Sequence, residues 1–281
     1  MARERVIYYS DPQLDDFART NIDPIRVGAD FPFTRKSLLW NMAAWLLYYL
    51  IGVPVVFLIS KLYLGLKFEN RGVLRQLRDT GGFLYCNHTR MLDGFLPAMA
   101  SFPKKGYVIA GADAVSLPGL MNVVLMLGVI PIPTEFSGMR RFLETISLRC
   151  HQKQCITIFP EAHIWPFYTG IRDFPDTSFR YPVLHQVPVV AMVTTYRKRR
   201  GLFCLCRKPG MTVTLSEPFF PDPSLSPAKA RKKLRDQVYD FMKTGSERKE
   251  NIAYIQYVQK HEYGRFLEAE SLAGQNMEAK K

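Results

Sequence analysis

Several residue patterns that would assign a chain to a class at once are missing here. Five cysteines, Cys86, Cys150, Cys155, Cys204 and Cys206, form an odd set with no CxxC pair. That excludes a disulfide framework and predicts reduced thiols in a cytosolic setting. Cys204 and Cys206 are two apart and would share one face of a strand, but no His-rich or second cysteine pair accompanies them, so no metal site is expected. There is no Gly-x-Ser-x-Gly elbow, which removes the serine-nucleophile hydrolases of that kind. A Walker loop, a dinucleotide glycine fingerprint and a His-Glu-x-x-His pair are absent too. So are helix-turn-helix, zinc-finger and RNA-recognition signatures, and with them the case for nucleic acid as a partner. No internal repeat or low-complexity tract is present. Acidic residues are few, 25 against 38 lysines and arginines, leaving a formal charge of +13. Such a balance implies an acidic partner: nucleic acid, an anionic lipid surface or a phosphorylated substrate.

Charge disappears altogether over the 24 positions from Ser37 to Ser60, SLLWNMAAWLLYYLIGVPVVFLIS. At about 1.5 Å per residue a helix of this length crosses a hydrocarbon core. The run lies too far into the chain to be an ordinary signal peptide. Gly52 and Pro54 interrupt it near the middle, so a pair of helices in one leaflet fits as well as a span, and a buried pair in a soluble core is the third option. Arg35 and Lys36 precede it and Lys61 and Lys67 follow, so the flanking charges give no orientation. Membrane attachment, with an anionic lipid surface as partner, is the expectation.

The chain as a whole is 47% hydrophobic and 22% charged, the balance of a folded globular protein. We divide the chain into a polar lead-in, extended and partly ordered (1–36), a hydrophobic membrane-associated helical segment (37–66), an α/β domain (67–245) and a polar C-terminal extension (246–281) with an aromatic patch at Tyr254, Tyr257 and Tyr263. The α/β reading rests on alternation of apolar runs with amphipathic stretches. Strands are predicted at 82–86, 107–110, 129–132, 155–159, 188–196 and 211–216, and helices at 72–78, 91–100, 117–127, 139–152 and 227–242. Arg197 to Arg200 and Arg207-Lys208 flank the apolar Leu202 to Leu205, which reads as a hairpin with a basic base.

The most informative run is Gly82-Phe83-Leu84-Tyr85-Cys86 followed by Asn87-His88-Thr89-Arg90-Met91-Leu92-Asp93. Five positions on a helix are about 140° of rotation, so His88 and Asp93 meet only across a turn. A strand ending at Cys86 and a helix starting near Met91 would put the imidazole in the turn and the carboxylate in the first helical turn. There the carboxylate fixes the ring's tautomer and stabilises the imidazolium, which makes the histidine a directed general base. Cys86, on a strand, reads as core rather than nucleophile. Further on, a strand runs into Phe159-Pro160-Glu161-Ala162-His163, so a carboxylate and an imidazole emerge at a strand's C-terminal end, where open α/β sheets place their sites. Arg140, Arg141, Arg172 and Arg180 are candidates for a positive field around a phosphate. Trp165 and Phe167 read as core or as acyl-chain lining.

Asn87-His88 to Asp93-Gly94, Phe159-Pro160-Glu161 and Val187-Pro188-Val189-Val190, in that order and spacing, resemble the glycerolipid acyltransferases of the 1-acyl-glycerol-3-phosphate acyltransferase type over roughly residues 70–242. The resemblance implies a single mixed-sheet acyltransferase domain flanked by helices, with a membrane-associated helical segment before it. It implies that His88 is the base, Asp93 its orienting partner and Glu161 part of the glycerophosphate site. It also implies a fatty acyl transfer from an acyl-CoA or acyl carrier protein thioester to a lysophospholipid hydroxyl giving phosphatidic acid, without cofactor, with the catalytic domain on the cytoplasmic side. Two departures stand out. Where the family usually has an arginine in its second block, the run from Gly128 ends in Thr134; after Pro160-Glu161, where glycine, a small residue and arginine are usual, this chain has Ala162, His163 and Ile164. His163, Arg140, Arg172 or Arg180 are the candidate replacements. The alternatives are an acyltransferase for another lysolipid or glycerol 3-phosphate, or a non-catalytic membrane-surface protein that binds lipid.

Overall fold

The computed structural model describes residues 5–18, 22–200, 206 and 208–260. Nine strands are found among them: β1 (Arg5–Tyr9), β2 (Lys67–Glu69), β3 (Gly82–Cys86), β4 (Gly106–Ala110), β5 (Val129–Pro131), β6 (Cys155–Ile158), β7 (Val189–Arg197), β8 (Gly210–Leu215) and β9 (Ile255–Gln259). Seven form a mixed sheet in the order β2-β8-β7-β3-β6-β4-β5. β8 runs antiparallel to β7 and β2 runs with β8, while β7, β3, β6, β4 and β5 are mutually parallel. Every residue of β3 is buried, as its uninterrupted apolar run requires of a central parallel strand. Its alternate side chains feed two cores. Leu84 and Cys86 face one with Leu77, Leu96 and Met192, and Phe83 and Tyr85 face the other with Ile146, Leu234 and Val238. The strand is entered through Gly81, at φ +69°, where a Cβ would lie 2.6 Å from the Gln154 carbonyl oxygen; only glycine fits that approach.

The helices cover both faces. Met139–His151, Arg180–His185 and Pro227–Ser246 pack on one, and Leu96–Ser101 with the 3₁₀ turn Arg71–Leu77 on the other. The stretch expected as one helix over 91–100 is a 3₁₀ turn, Met91–Phe95, followed by the helix Leu96–Ser101.

The uncharged run is one continuous helix, Leu38–Tyr63, long and apolar enough to cross a membrane. It is not broken at Gly52 and Pro54. A π-helical turn at Leu47–Gly52, in which the Val53 N–H reaches back to Tyr48 O, absorbs the proline's bulk and missing donor. Only 17% of its most apolar window is buried, and Leu39, Trp45, Leu50 and Leu58 are exposed. One flank leans on the domain, where the Gly106 N–H donates to Tyr48 Oη at 2.8 Å and Tyr49 Oη donates to Pro103 O at 3.0 Å.

The lead-in is more ordered than the sequence indicates. β1 pairs in parallel with β9, Arg5 opposite Ile255 and Tyr9 opposite Gln259, in a second, two-stranded sheet. Phe17 and Tyr257 then close around Trp165. The basic hairpin's apolar tip, Leu202 to Leu205, lies outside the described residues, as do Cys204 and Tyr263.

Candidate active site

β3 and β6 are hydrogen-bonded neighbours running the same way, so the turns after Cys86 and Ile158 open at one edge of the sheet. The first is fastened by Asn87. Its side chain accepts from the Thr194 N–H at 2.8 Å and donates to Thr194 O at 3.1 Å, extending the β3–β7 ladder by one side-chain rung. The backbone then turns sharply, and Asp93 enters the 3₁₀ turn as a cap. Its Oδ2 accepts from the N–H groups of Thr89 at 2.7 Å and Arg90 at 2.8 Å, satisfying donors that a helix start leaves open.

The same Oδ2 lies 3.5 Å from His88 Nδ1, the long limit of a hydrogen bond, and free enzymes commonly tighten such contacts on binding substrate. Asp93 is fully buried and the His88 side chain is 15% exposed. Phe159 stacks on the imidazole with centroids 4.2 Å apart and planes inclined by 19°. Tyr196 Oη donates to Thr89 Oγ1 at 2.7 Å, and Thr89 Oγ1 in turn reaches Asp93 Oδ2 at 3.3 Å. Burial pushes the Tyr196 phenol well above its ordinary range, with the Asp93 charge adding to it, so it stays a donor. Burial likewise raises the Cys86 thiol, again with Asp93 adding to it, and leaves no thiolate at that position.

Glu161 lies beside this turn, tightly engaged. Its Oε1 accepts from the Arg172 N–H at 2.9 Å, and its Oε2 accepts from the His88 N–H at 3.3 Å and from Arg172 Nη2 at 3.3 Å. Both side chains of this ion pair are almost completely buried, 2% exposed for Arg172 and 1% for Glu161. Burial pushes the Glu161 carboxyl above its ordinary value while Arg172 pulls against it. Arg172 also donates to His163 O and to Pro12 O, and its guanidinium covers the Trp165 ring. The Trp165 N–H holds His88 O at 3.2 Å, and its indole N–H holds Asp15 O at 2.8 Å. The lead-in is thus part of the wall behind the histidine.

The candidate residues therefore divide. His88, Asp93, Glu161, Arg172 and His163 converge on the two turns. Arg172 points inward as a brace. His163 is half-buried, with Nδ1 3.9 Å from Asp16 Oδ2. Arg140 is exposed on the helix Met139–His151 and pairs with Glu144 one turn along at 3.0 Å; Arg180 is exposed over the Tyr181 ring. Neither joins the turns. Trp165 is core, and Phe167 borders a cavity. Sequence reasoning gave no part to Asn87, Thr89, Phe159 or Tyr196. Among the described residues no group of His, Cys, Asp and Glu has the arrangement to hold a metal.

A buried carboxylate behind a partly exposed imidazole is what general-base chemistry needs: the nitrogen nearer the carboxylate is held and the other is left for a substrate proton. No curated protein matches the chain. Among solved structures it resembles the 1-acyl-sn-glycerophosphate (LPA) acyltransferase PlsC of Thermotoga maritima, with 18% identity over 74% of this chain and 95% of that one and a TM-score of 0.49. Residues 66–195, which hold both turns, match the family model for acyltransferases. Over that segment the chain is similar to the acyltransferase family.

Proposed function

We propose that the protein moves a fatty acyl group from a thioester donor to the free hydroxyl of a lysophospholipid, 1-acyl-glycerol-3-phosphate giving phosphatidic acid, at a membrane surface. The observation that carries the reading is the His88–Asp93 pair, set across the turn after β3 in the segment that matches the acyltransferase family. In this reading His88 takes the acceptor's hydroxyl proton on its outer nitrogen as the oxygen attacks the thioester carbonyl. Its inner N–H donates to Asp93, whose charge stabilises the imidazolium. The tetrahedral intermediate collapses with departure of the thiolate, and the imidazolium returns its proton to the leaving sulfur. A thiolate leaves readily, so no acyl-enzyme is required. Glu161 and Arg172 hold the backbone of the histidine rather than the substrate. The helix Leu38–Tyr63 supplies membrane association and brings a bilayer-dissolved acceptor to the site.

The test is thiol release from an acyl thioester by the purified full chain in detergent, with lysophosphatidate as acceptor and the lipid product identified by mass. Acceptor-dependent release with phosphatidate formation is expected. Release with a different lysolipid alone would change the acceptor, and release with none would overturn acyl transfer.

A further inference from the structure

A cavity of about 1160 Å³ between the end of the apolar helix and the small β1–β9 sheet takes no part in the chemistry above. That volume is somewhat above the roughly 300–1,000 Å³ usual for small-molecule sites. Its wall is largely apolar, including Val6, Ile7, Leu92, Phe167 and Ile255. More than half of its lining residues lie outside 66–195, so the cavity's shape is set mainly by segments beyond the family match.

One group is out of keeping with that wall. Arg90 lines the cavity and is only 8% exposed, yet its Nη1 is buried with no hydrogen-bond partner. Its guanidinium lies 4.8 Å from the Phe167 ring centre and 5.5 Å from that of Tyr63. Among the described residues no carboxylate forms an ion pair with it. A desolvated cation with an unpartnered buried nitrogen is costly unless an anion completes it, and a planar guanidinium fork matches a phosphate with two parallel donors. The position is also favourable. The Arg90 N–H is bonded to Asp93 and the residue is two positions from His88, so the cavity borders the turn that carries the proposed base. Tyr63 ends the apolar helix and borders the cavity, so an amphiphile leaving the bilayer at that level reaches it directly.

We propose that Arg90 binds the phosphate of the acceptor lysophospholipid and that the cavity receives its single acyl chain. The substrate class rests on the acyl-transfer reading. Arg90 then supplies a cation from the first sequence block, where Thr134 and the Ala162-His163-Ile164 run provide no arginine.

The experiment measures equilibrium binding of lysophosphatidate, monoacylglycerol of the same chain and the free fatty acid to the full chain in micelles, with no acyl donor present. Wild type is expected to prefer lysophosphatidate over monoacylglycerol by about 10–100-fold, the range for hydrogen bonds to a charged group. Arg90→Met should abolish the preference while leaving monoacylglycerol binding unchanged, and Arg90→Lys should keep part of it. In turnover, Arg90→Met should raise the acceptor KM by a similar factor and leave the donor KM within about twofold. Met91→Trp, at an exposed position on the cavity lining, should weaken long-chain acceptors more than short ones, and this arm decides the matter should Arg90→Met fail to fold. An undiminished preference in a folded Arg90→Met, or equal effects of Met91→Trp at all chain lengths, would overturn the proposal. Arg90-dependent binding of fatty acid but not lysophosphatidate would overturn it too. Because binding is read without donor, a wild type that binds through Arg90 but transfers nothing would leave this assignment standing and remove the acyl-transfer reading alone.

Discussion

Asp93 and Glu161 are both buried carboxylates at the ends of adjacent parallel strands, and their surroundings differ in one decisive respect. Glu161 has a permanent counter-ion: Arg172 is sealed in beside it, and three hydrogen bonds from protein donors occupy both oxygens. Asp93 has two backbone N–H groups and the Thr89 hydroxyl on one oxygen, while its other oxygen is buried without a partner. Among the described residues the only group that can pair with it as a cation is the His88 ring. A carboxylate whose charge is already matched serves as scaffold. One that faces an imidazole across a turn, with an oxygen still unpartnered, is placed to orient that ring.

The comparison can be broken or sharpened by substitution. His88→Ala should lower kcat/KM for acyl transfer by about 10³-fold or more with the fold intact by circular dichroism, since a positioned base contributes roughly 10²–10⁴-fold. Loss of stability rather than rate would collapse the distinction. Glu161→Gln should do the reverse. It leaves Arg172 buried without a charge partner, so unfolding in urea should show a loss of about 3–5 kcal/mol. A stable but inactive Glu161→Gln would make Glu161 part of the chemistry.

The two carboxylates also differ in what pH does. Glu161 titrates above its ordinary 4.5 because burial disfavours its charged form. The folded state therefore binds more protons than the unfolded one between the two values, and unfolding free energy should fall as pH rises through that window. Urea midpoints should show this component in wild type and lose it in Glu161→Gln. The smallest effect concerns the backbone between the turns. Ala162 sits at φ +63°, where a Cβ is strained, so Ala162→Gly should stabilise by about 1 kcal/mol without altering acceptor KM. A stability loss there would mean the alanine methyl has a packing role.

Much of this was legible in the chain. β3 is five apolar residues ending at a polar turn, and the His88-to-Asp93 spacing excludes a shared helix face, so strand, turn and pairing follow from geometry. The direction of Arg172 does not follow. It comes from an irregular loop, where no periodicity tells an inward side chain from an outward one. Arg140 was more readable: Phe142 and Ile146 turn inward on Met139–His151, which puts Arg140 and Glu144 together on the outer side. β1 and β9 are short, and they pair with each other across nearly the whole chain length, so neither shows in local pattern. Gly52 and Pro54 led toward a break because proline normally ends a helix, whereas a π-turn takes up the mismatch.

The most direct test of the central claim, that Asp93 acts through His88, is a double-mutant cycle on acceptor-dependent thiol release with His88→Ala, Asp93→Asn and the pair. Asp93→Asn alone should cost about 10²-fold or more, and almost nothing further once the ring is gone, because groups acting as a unit are strongly non-additive. If the two losses instead multiply in the double variant, Asp93 works independently of the imidazole and the account is wrong.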